Sequence, residues 1–332
     1  MENLIKQLLI TDPELAEWIA LQESSFGLAI AQGYTELEET VPGQIQKYCE
    51  LIRKAAQDGP TLGRIMATYL VPVLKHGTDG FLDKFLHTVD IMLAKGSYTL
   101  NSPLESLASL LNSKETESAS AYLRLLSNTF SQDLSYNQCL HFSYTLPKAI
   151  LSFSPSKRSW QTEQLGRIIK TDFRLADPFI KGMNKGLDLL SKQALDSFVS
   201  MGQEKYRHNK KSGAKFLSLD SKLGTDTCSE MQVTVSLSQV QHQLNRYLRA
   251  RTGIGISVRP LSSVADSLLQ QADPDETYVC SDGKFIYLPN EISFFDNKDE
   301  NINLYKILTK LESAYYEFDT FDFETGNLKL ET

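Results

Sequence analysis

The stretch Leu62-Gly63-Arg64-Ile65 decides the fold class, because it returns later in the chain as Leu165-Gly166-Arg167-Ile168. Around both copies, apolar residues recur at spacings of three and four, which is the pattern of an amphipathic α-helix. The pattern runs from Asp12 to about Leu223, interrupted by proline, glycine and serine-asparagine punctuation. The sequence therefore predicts a mainly α-helical array over residues 1–225.

Further matched blocks follow each copy in the same order and predict an internal duplication of about residues 62–127 and 165–221. The matched pairs are Val73-Leu74-Lys75-His76-Gly77 with Pro178-Phe179-Ile180-Lys181-Gly182, Asp90-Ile91-Met92-Leu93 with Leu187-Asp188-Leu189-Leu190, Leu104-Glu105-Ser106-Leu107-Ala108-Ser109 with Leu195-Asp196-Ser197-Phe198-Val199-Ser200, and Ala121-Tyr122-Leu123-Arg124-Leu125 with Ala214-Lys215-Phe216-Leu217-Ser218. Repeated helix pairs that each expose one apolar face are stabilised by stacking on their neighbours. We expect a solenoid-like array with an extended protein-binding surface. The alternative is a compact helical domain without such a surface.

The character of the sequence changes after Cys228, where strand-like and turn-like segments appear. The Asp282-Gly283 pair is typical of a tight hairpin, because glycine adopts positive φ at no steric cost. We predict an α+β module over residues 226–332. Its expected elements are strands at 232–236, 253–260, 278–281 and 285–288, a helix at 240–252 with Leu244, Tyr247 and Leu248 on one face, and a last helix from about Glu300 to Phe318. We expect the closing Phe321, Phe323 and Leu328 to need a partner surface.

The charge balance excludes a general affinity for nucleic acid. The formal net charge is −7 and the isoelectric point is near 5.4, whereas binding to phosphates needs clustered Lys and Arg. One basic cluster stands out, Lys205-Tyr206-Arg207-His208-Asn209-Lys210-Lys211. We interpret it as a solvated helix end or loop, with an anion or RNA contact as the alternative.

Cysteine spacing and hydropathy indicate a cytoplasmic protein. Cys49, Cys139, Cys228 and Cys280 form no CxxC pair and have no metal-ligand spacing. The N-terminus lacks the basic and apolar regions of a signal peptide, and no window approaches the roughly 18 to 20 apolar residues of a membrane span. We therefore expect free thiols and no membrane span.

The segment Glu312-Ser313-Ala314-Tyr315-Tyr316-Glu317-Phe318-Asp319-Thr320-Phe321-Asp322-Phe323 resembles the region before the von Willebrand A domain in NorD-like proteins, which are similar to the nitric-oxide-reductase activation protein. Three upstream blocks also resemble that family, Ala214-Lys215-Phe216-Leu217-Ser218-Leu219-Asp220-Ser221, Tyr247-Leu248-Arg249-Ala250-Arg251-Thr252-Gly253 and Arg259-Pro260-Leu261. The likeness covers about the last 150 residues well and the helical array loosely. Because the chain ends at Glu331-Thr332 without an evident cap, we expect a longer protein.

The family often carries His-Glu-x-x-His-x-Glu-x-Gly-Thr-Phe at this place, and this chain lacks both histidines. In a zinc peptidase, histidines at i and i+4 of one helix hold the metal while the glutamate between them activates water. Here those positions are Leu311, Glu312 and Tyr315, and Asp319 replaces the glycine, whereas Glu317 matches the family pattern. We therefore predict a degenerate zincin-like module, with Leu311, Glu312, Tyr315 and Glu317 as a vestigial motif and with no catalytic, cofactor-binding or metal residues.

We expect Leu311 to pack in the core, Glu312 to be hydrogen-bonded in a former cleft, and the turn from Glu317 to Phe323 to wedge the helix against the sheet. The resulting hypothesis is a non-catalytic scaffold or adaptor. The resemblance implies a MoxR-type AAA+ ATPase as its partner, in protein remodelling or metal-centre assembly. Two alternatives remain: a metal-dependent hydrolase with atypical ligands at Glu312 and Glu317, and a module that binds peptides by strand addition beside the 278–288 hairpin.

Overall fold

The fold is that of a mainly helical chain. The computed structural model describes residues 13–78, 80–253, 255–264, 279–295 and 297–318. Fifteen α-helices lie in these residues, and five short strands are confined to the C-terminal part. The predicted order, helices first and a small mixed region afterwards, is confirmed. Within the described ranges, none of the helices has both the length and the apolar composition of a bilayer crossing.

The chain divides into two compact units. The first contains Met1–Asp188 and Val199–Ser221, and the second contains Leu189–Phe198 and Lys222–Thr332. The domain boundary between residues 225 and 226 stays a prediction from the sequence.

The described part of the first unit contains twelve helices. They are α1 (Pro13–Ala20), α2 (Ser24–Thr40), α3 (Ile45–Asp58), α4 (Pro60–His76), α5 (Phe81–Leu93), α6 (Asn101–Asn112), α7 (Thr116–Phe130), α8 (Tyr136–Ser152), α9 (Arg158–Thr171), α10 (Ala176–Met183), α11 (Lys192–His208) and α12 (Lys210–Leu217). One of these, α11, begins in the segment Leu189–Phe198 of the second unit and continues into the first. The basic cluster at 205–211 lies where α11 ends and α12 begins, and Asn209 caps α12 by accepting a hydrogen bond from the Ser212 amide.

Several second-neighbour helices of the first unit pack side by side, as α2 does with α4, α5 with α7, and α7 with α9. These neighbours are parallel, because contacts advance in the same direction along both helices. From the start of α7 and α9 to their ends, Glu115 pairs with Arg158, Arg124 with Glu163, and Gln132 with the Ile169 carbonyl. Side-chain hydrogen bonds between such second neighbours join residues 32 to 43 positions apart.

The internal duplication stays a prediction from the sequence, and its matched blocks fall at different places in the order of the helices. The first two blocks of the first copy both lie on α4, whereas their matches lie on α9 and α10. The third block ends α5, but its match, 187–190, begins with the 3₁₀ turn Leu187–Leu189. The last two blocks lie within helices in both copies, except that Ser218 follows the end of α12. Short identities on amphipathic helices arise because each helix needs the same apolar spacing, so they do not establish equivalent positions.

The second unit contains α13 (Lys222–Met231), α14 (Leu237–Thr252), α15 (Lys298–Glu317) and all five strands. The strands are β1 (Val235–Ser236), β2 (Ser257–Pro260), β3 (Cys280–Ser281), β4 (Phe285–Leu288) and β5 (Glu291–Ile292). One sheet has the order β2-β4-β3, with β2 parallel and β3 antiparallel to β4, and β1 pairs separately with β5 in antiparallel register.

Glycine and aspartate fix the turns of this unit. In the β3–β4 hairpin, the Asp282 carboxylate accepts hydrogen bonds from the amides of Lys284 and Phe285, and Gly283 supplies a φ of 83°. Gly253, with a φ of 69°, ends α14 and is not the strand entry that we predicted, since its amide bonds the Arg249 carbonyl. The hairpin prediction is confirmed for 280–288, whereas Tyr278 and Ile254 lie outside the described residues.

The core of the second unit lies between the strands and the helices α14 and α15. Its buried residues include Leu244, Leu248, Val258, Ile286 and Leu288, which sit at alternating strand positions or on one helix face. The predicted inner face of α14 is confirmed for both leucines, while Tyr247 is only partly buried against the core. Of the expected strand at 232–236, only Val235–Ser236 pairs.

Candidate functional site

The last helix, α15, carries the segment that resembles a peptidase motif. It packs through polar residues as well as apolar ones. The buried Asn301 side chain donates to the carbonyls of Val233 and Phe295 and accepts from the Phe295 amide, each at 2.8 Å. The Tyr305 hydroxyl donates to the Pro289 carbonyl at 2.9 Å. These bonds fix the rotation of α15 about its axis, and with it the direction of every later side chain.

That rotation leaves Leu311 and Tyr315 exposed. Leu311 is 61% exposed and Tyr315 is 47% exposed, so the prediction that Leu311 packs in the core is wrong. The inward positions belong instead to Thr309, Ser313 and Tyr316, which are buried. Because the side chains at i and i+4 of the motif point outward, the face that would present metal ligands in a peptidase faces solvent here.

Glu317 is held by an ion pair. Its carboxylate accepts hydrogen bonds from Arg251 Nε at 2.8 Å and from Arg251 Nη2 at 3.0 Å. This two-point contact with α14 holds the pKa of the Glu317 carboxyl below its usual range. The predicted turn beyond Phe318 lies outside the described residues, as do the closing Phe321, Phe323 and Leu328.

Glu312 is half-buried, and no described residue donates a hydrogen bond to its carboxylate, so the expected hydrogen bond stays a prediction. Burial raises the pKa of its carboxyl. The nearby Cys280 thiol of β3 also has a raised pKa, first because of its burial and then because of the charges of Glu312 and Asp282. Glu312 and Asp282 therefore surround the Cys280 thiol with negative charge, and within the described residues they do not form a set of metal ligands.

The hairpin beside Glu312 is stabilised by its own hydrogen bonds. Asp282 accepts from the Tyr287 hydroxyl at 2.9 Å as well as from the turn amides, and these bonds outweigh partial burial and hold the pKa of Asp282 below its ordinary value. The hydroxyls of Ser281 and Tyr316 hydrogen-bond and join β3 to α15. Each group thus has a structural role.

Within the described ranges, no three His, Cys, Asp or Glu side chains are grouped so as to hold a metal ion. In the first unit, His141 Nε2 lies 2.9 Å from Asp177, and the Thr145 hydroxyl lies 3.4 Å from both ring nitrogens. A hydroxyl equally distant from both nitrogens is not aligned with either lone pair, so this arrangement does not have the geometry of a catalytic triad.

A continuous apolar surface runs along the outward side of α15, and we call it the apolar face. Its residues are Phe294, Leu304, Ile307, Leu308, Leu311, Tyr315 and Phe318. Ile307 is 53% exposed and Phe318 is 78% exposed, while Leu304 and Leu308 are partly buried. Spacings of three and four along one helix place these side chains in a single stripe.

The N-terminal end of the apolar face opens into a groove of about 530 Å³ lined by Pro289, Ile292, Phe294, Leu304 and Leu308 together with Glu291 and Ser293. Phe294 is 73% exposed, and its ring contacts Phe295 edge to face. Six of the eleven exposed large hydrophobic residues in the described chain lie between 294 and 318, so this surface is where apolar exposure concentrates.

The sequence did not predict the apolar face, and Leu311 at its centre was expected to pack in the core. Leu304, Ile307, Leu308, Leu311 and Tyr315 cover an arc of about 100°, the width that a core-facing stripe has on an ordinary amphipathic helix, so their spacing gives no sign of exposure. Deciding which part of that arc is buried required the positions of Asn301 and Tyr305, whose polarity gives no hint of burial.

Comparisons of this chain with protein-family models, with curated proteins and with solved structures find no match. The resemblance to NorD-like proteins therefore stays a prediction from the residues quoted above.

Proposed function

We propose that the protein is a non-catalytic scaffold that binds another protein through the apolar face of α15. The observation that carries this proposal is the exposure of Phe294, Ile307, Leu311, Tyr315 and Phe318 on one connected surface. With Phe295, and at about 200 Å² for a large side chain, they expose roughly 700 Å², close to the ~800 Å² that each partner contributes to a standard interface. Patches of that size on a folded protein mark interaction sites.

The first unit fits the scaffold role as a solenoid-like array. Second-neighbour helices are parallel, and hydrogen bonds join their ends in succession, from Lys95 to the Gln132 carbonyl and from Gln132 to the Ile169 carbonyl. Residue separations of 37 for both bonds are close to the lengths of known helix-pair repeats. Such arrays present extended surfaces to other proteins.

The geometry of α15 favours a scaffold over a peptidase. Leu311 and Tyr315 point to solvent, and the Glu317 carboxylate is engaged by Arg251 on both oxygens. A zincin-like module that has lost its metal chemistry, a pseudo-metallopeptidase, is consistent with these positions. Glu312 would then be a half-buried acid left over from the motif.

The partner class follows from the resemblance to NorD-like proteins alone. It implies a MoxR-type AAA+ ATPase, acting with this protein in remodelling a target or assembling a metal centre. The apolar face is the surface that we assign to this contact, since helix faces with this spacing commonly seat in grooves of a partner.

Binding of a purified MoxR-type ATPase from the same host tests the proposal. Leu311→Lys places a charge at the centre of the apolar face and should weaken binding at least about tenfold, the effect of losing an interface hot spot. The matched control is Leu223→Lys on α13, because Leu223 is 55% exposed and lies outside the face. Unchanged affinity of Leu311→Lys, or equal losses in both variants, would contradict the assigned surface, and a wild-type chain that does not bind would exclude this partner.

A second candidate is peptide binding by strand addition, favoured by the sheet order β2-β4-β3. The outer side of β2 is occupied, because Asn245 accepts from the Val258 amide and Gln241 donates to the Val258 carbonyl. The outer side of β3 has no strand partner among the described residues. Chemical-shift changes at Cys280 and Ser281 on adding an extended peptide would support this candidate.

Metal analysis of the purified chain distinguishes the scaffold from the alternative of a metal-dependent hydrolase with atypical ligands. The scaffold account expects zinc well below one equivalent after dialysis, because Glu312 and Glu317 supply too few good ligands. Zinc at one equivalent that is lost in Glu312→Gln would favour the hydrolase.

A further inference from the structure

Two shallow grooves lie side by side across the parallel helices α5, α7 and α9. The groove between α5 and α7 has a volume of about 240 Å³, and the groove between α7 and α9 one of about 290 Å³. Arg124 and Asn128, one turn apart on α7, line both grooves and form the ridge between them. We call this surface the cationic grooves.

The charge of this surface is opposite to that of the whole chain. Lys84 and His87 line the first groove, and Arg167 and Lys170 line the second, with Arg124 between them. Among the residues that line the two grooves, the one acid is Glu163, which lies in the second groove. In a chain of net charge −7, four permanent cations against one acid make a local positive field that attracts anionic ligands.

The cations differ in how strongly they are already engaged. Arg124 donates to Glu163 at 2.6 Å across the second groove, and Arg167 donates to Ser200 at 2.8 Å. Lys84 and Lys170 are exposed, and their ammonium groups make no hydrogen bond within the described part of the chain. These two lysines therefore lie on opposite sides of the ridge with donors available to a ligand.

We propose that the cationic grooves bind an extended acidic peptide that crosses α5, α7 and α9, with carboxylates at about every third residue. Packed helices lie about 8–10 Å apart, and three residues of an extended chain span roughly 10 Å. Carboxylates at that spacing reach Lys84, Arg124 and Lys170 in turn. The Asn128 amide on the ridge offers a donor and an acceptor to the peptide backbone.

An acidic protein segment fits this surface better than nucleic acid does. Glu163 lies inside the second groove, where a continuous phosphate backbone would meet its charge. A peptide can place a neutral residue opposite Glu163 and carboxylates on either side. The site lies in the first unit, and it does not rest on the function proposed for the apolar face.

Fluorescence anisotropy with a labelled peptide tests this proposal on the whole chain. The probe is Asp-Ser-Thr repeated four times, compared with a peptide of the same composition whose four aspartates are adjacent. At about 50 mM salt, where screening is weak, the spaced peptide should bind more tightly than the clustered one. The double variant Lys84→Gln/Lys170→Gln should weaken binding about tenfold, the combined effect of two exposed ion pairs.

Two further variants make the outcome decisive. Lys47→Gln/Lys54→Gln removes the same charge from exposed positions of α3 and should change affinity less than about twofold. Glu163→Gln removes the acid in the grooves and should tighten binding roughly threefold, a gain that misfolding cannot produce. The proposal is overturned if both lysine pairs have equal effects, if Glu163→Gln does not tighten binding, if the clustered peptide binds as well, or if labelled single-stranded RNA binds more tightly than the peptide.

Discussion

Glu312 keeps a carboxylate in a half-buried position without a hydrogen-bond donor in the described residues, and burial raises its pKa. An acid whose folded pKa lies above its unfolded value gives the folded state an advantage that is fully present below the unfolded pKa. That advantage is lost as the pH rises through the folded pKa. At neutral pH the charge of Glu312 therefore opposes folding.

Glu312→Gln should raise the thermal midpoint at pH 7 and should leave it unchanged near about pH 3, where the wild-type carboxyl is protonated. Melting curves at both pH values check this. The same variant should lower the pKa of the Cys280 thiol, because it removes the charge of Glu312, and should speed alkylation of Cys280 at about pH 8. The other cysteines, Cys49, Cys139 and Cys228, are buried, so the alkylation reports on Cys280. A lower midpoint at pH 7 would show that Glu312 has a stabilising partner.

Arg158 is the most heavily bonded buried cation in the described chain. Its guanidinium donates to the carbonyls of Ile150 at 3.0 Å and Phe153 at 2.9 Å, and to Glu115 at 2.5 Å, while the side chain is 8% exposed. It thereby satisfies carbonyls at the end of α8 and ties them to the carboxylate of Glu115, the residue before α7.

Arg158→Met should lower the free energy of unfolding by roughly 3–5 kcal/mol, because it leaves Glu115 as an uncompensated buried charge. Urea titration measures this. Arg124→Met, which removes the exposed partner of Glu163 between the same two helices, should cost no more than about 1 kcal/mol. Equal costs in the two variants would show that the buried bonds of Arg158 contribute little.

Gly63 and Gly166 occupy the same place in the matched sequence blocks but have different surroundings. A Cβ at Gly63 would lie 2.6 Å from the Phe26 ring, which packs α2 against α4, whereas a Cβ at Gly166 would meet Leu125 at 3.7 Å. The first glycine allows close helix packing, and the second only lowers helix propensity.

Gly63→Ala should therefore destabilise the protein by roughly 1–3 kcal/mol through overpacking. Gly166→Ala should stabilise it by about 0.5–1 kcal/mol, because alanine is the better helix former. Chemical denaturation of both variants gives the comparison. Equal effects in both would mean that the duplicated blocks are structurally equivalent after all.

The elements that the sequence predicted well are those with local causes. The Asp282-Gly283 hairpin follows from turn chemistry, and α14 and α15 follow from apolar spacing. The errors have non-local causes. Gly253 looked like part of a strand because Ser257–Pro260 follows it closely, and Leu311 looked like core because nothing local shows that Asn301 and Tyr305 take the buried positions.

For the molecule as a whole, the sequence predicted the mainly helical fold class but not the spacing at which the helices of the first unit stack. The first unit is organised by second-neighbour helices whose bonds span about 37 residues, as in Lys95–Gln132 and Gln132–Ile169. The predicted duplication rests on short blocks of similar residues. Stacking of parallel helices does not require identical residues at equivalent positions, because many apolar pairs can make the same contact.

We propose two binding surfaces, an apolar one on the second unit and a cationic one on the first, and a catalytic role for neither. The central proposal is that the apolar face of α15 contacts a protein partner. The surface is exposed on a helix that is itself fixed by Asn301, Tyr305 and Arg251, so it is presented rigidly.

Site-specific photo-cross-linking to the purified MoxR-type ATPase tests this claim most directly. A photoreactive benzoylphenylalanine replaces Leu311 in one chain and Tyr144, which is 61% exposed on α8, in the control. We predict a cross-linked product from position 311 and none from position 144. A product from position 144 alone, or no product from position 311, would contradict the account.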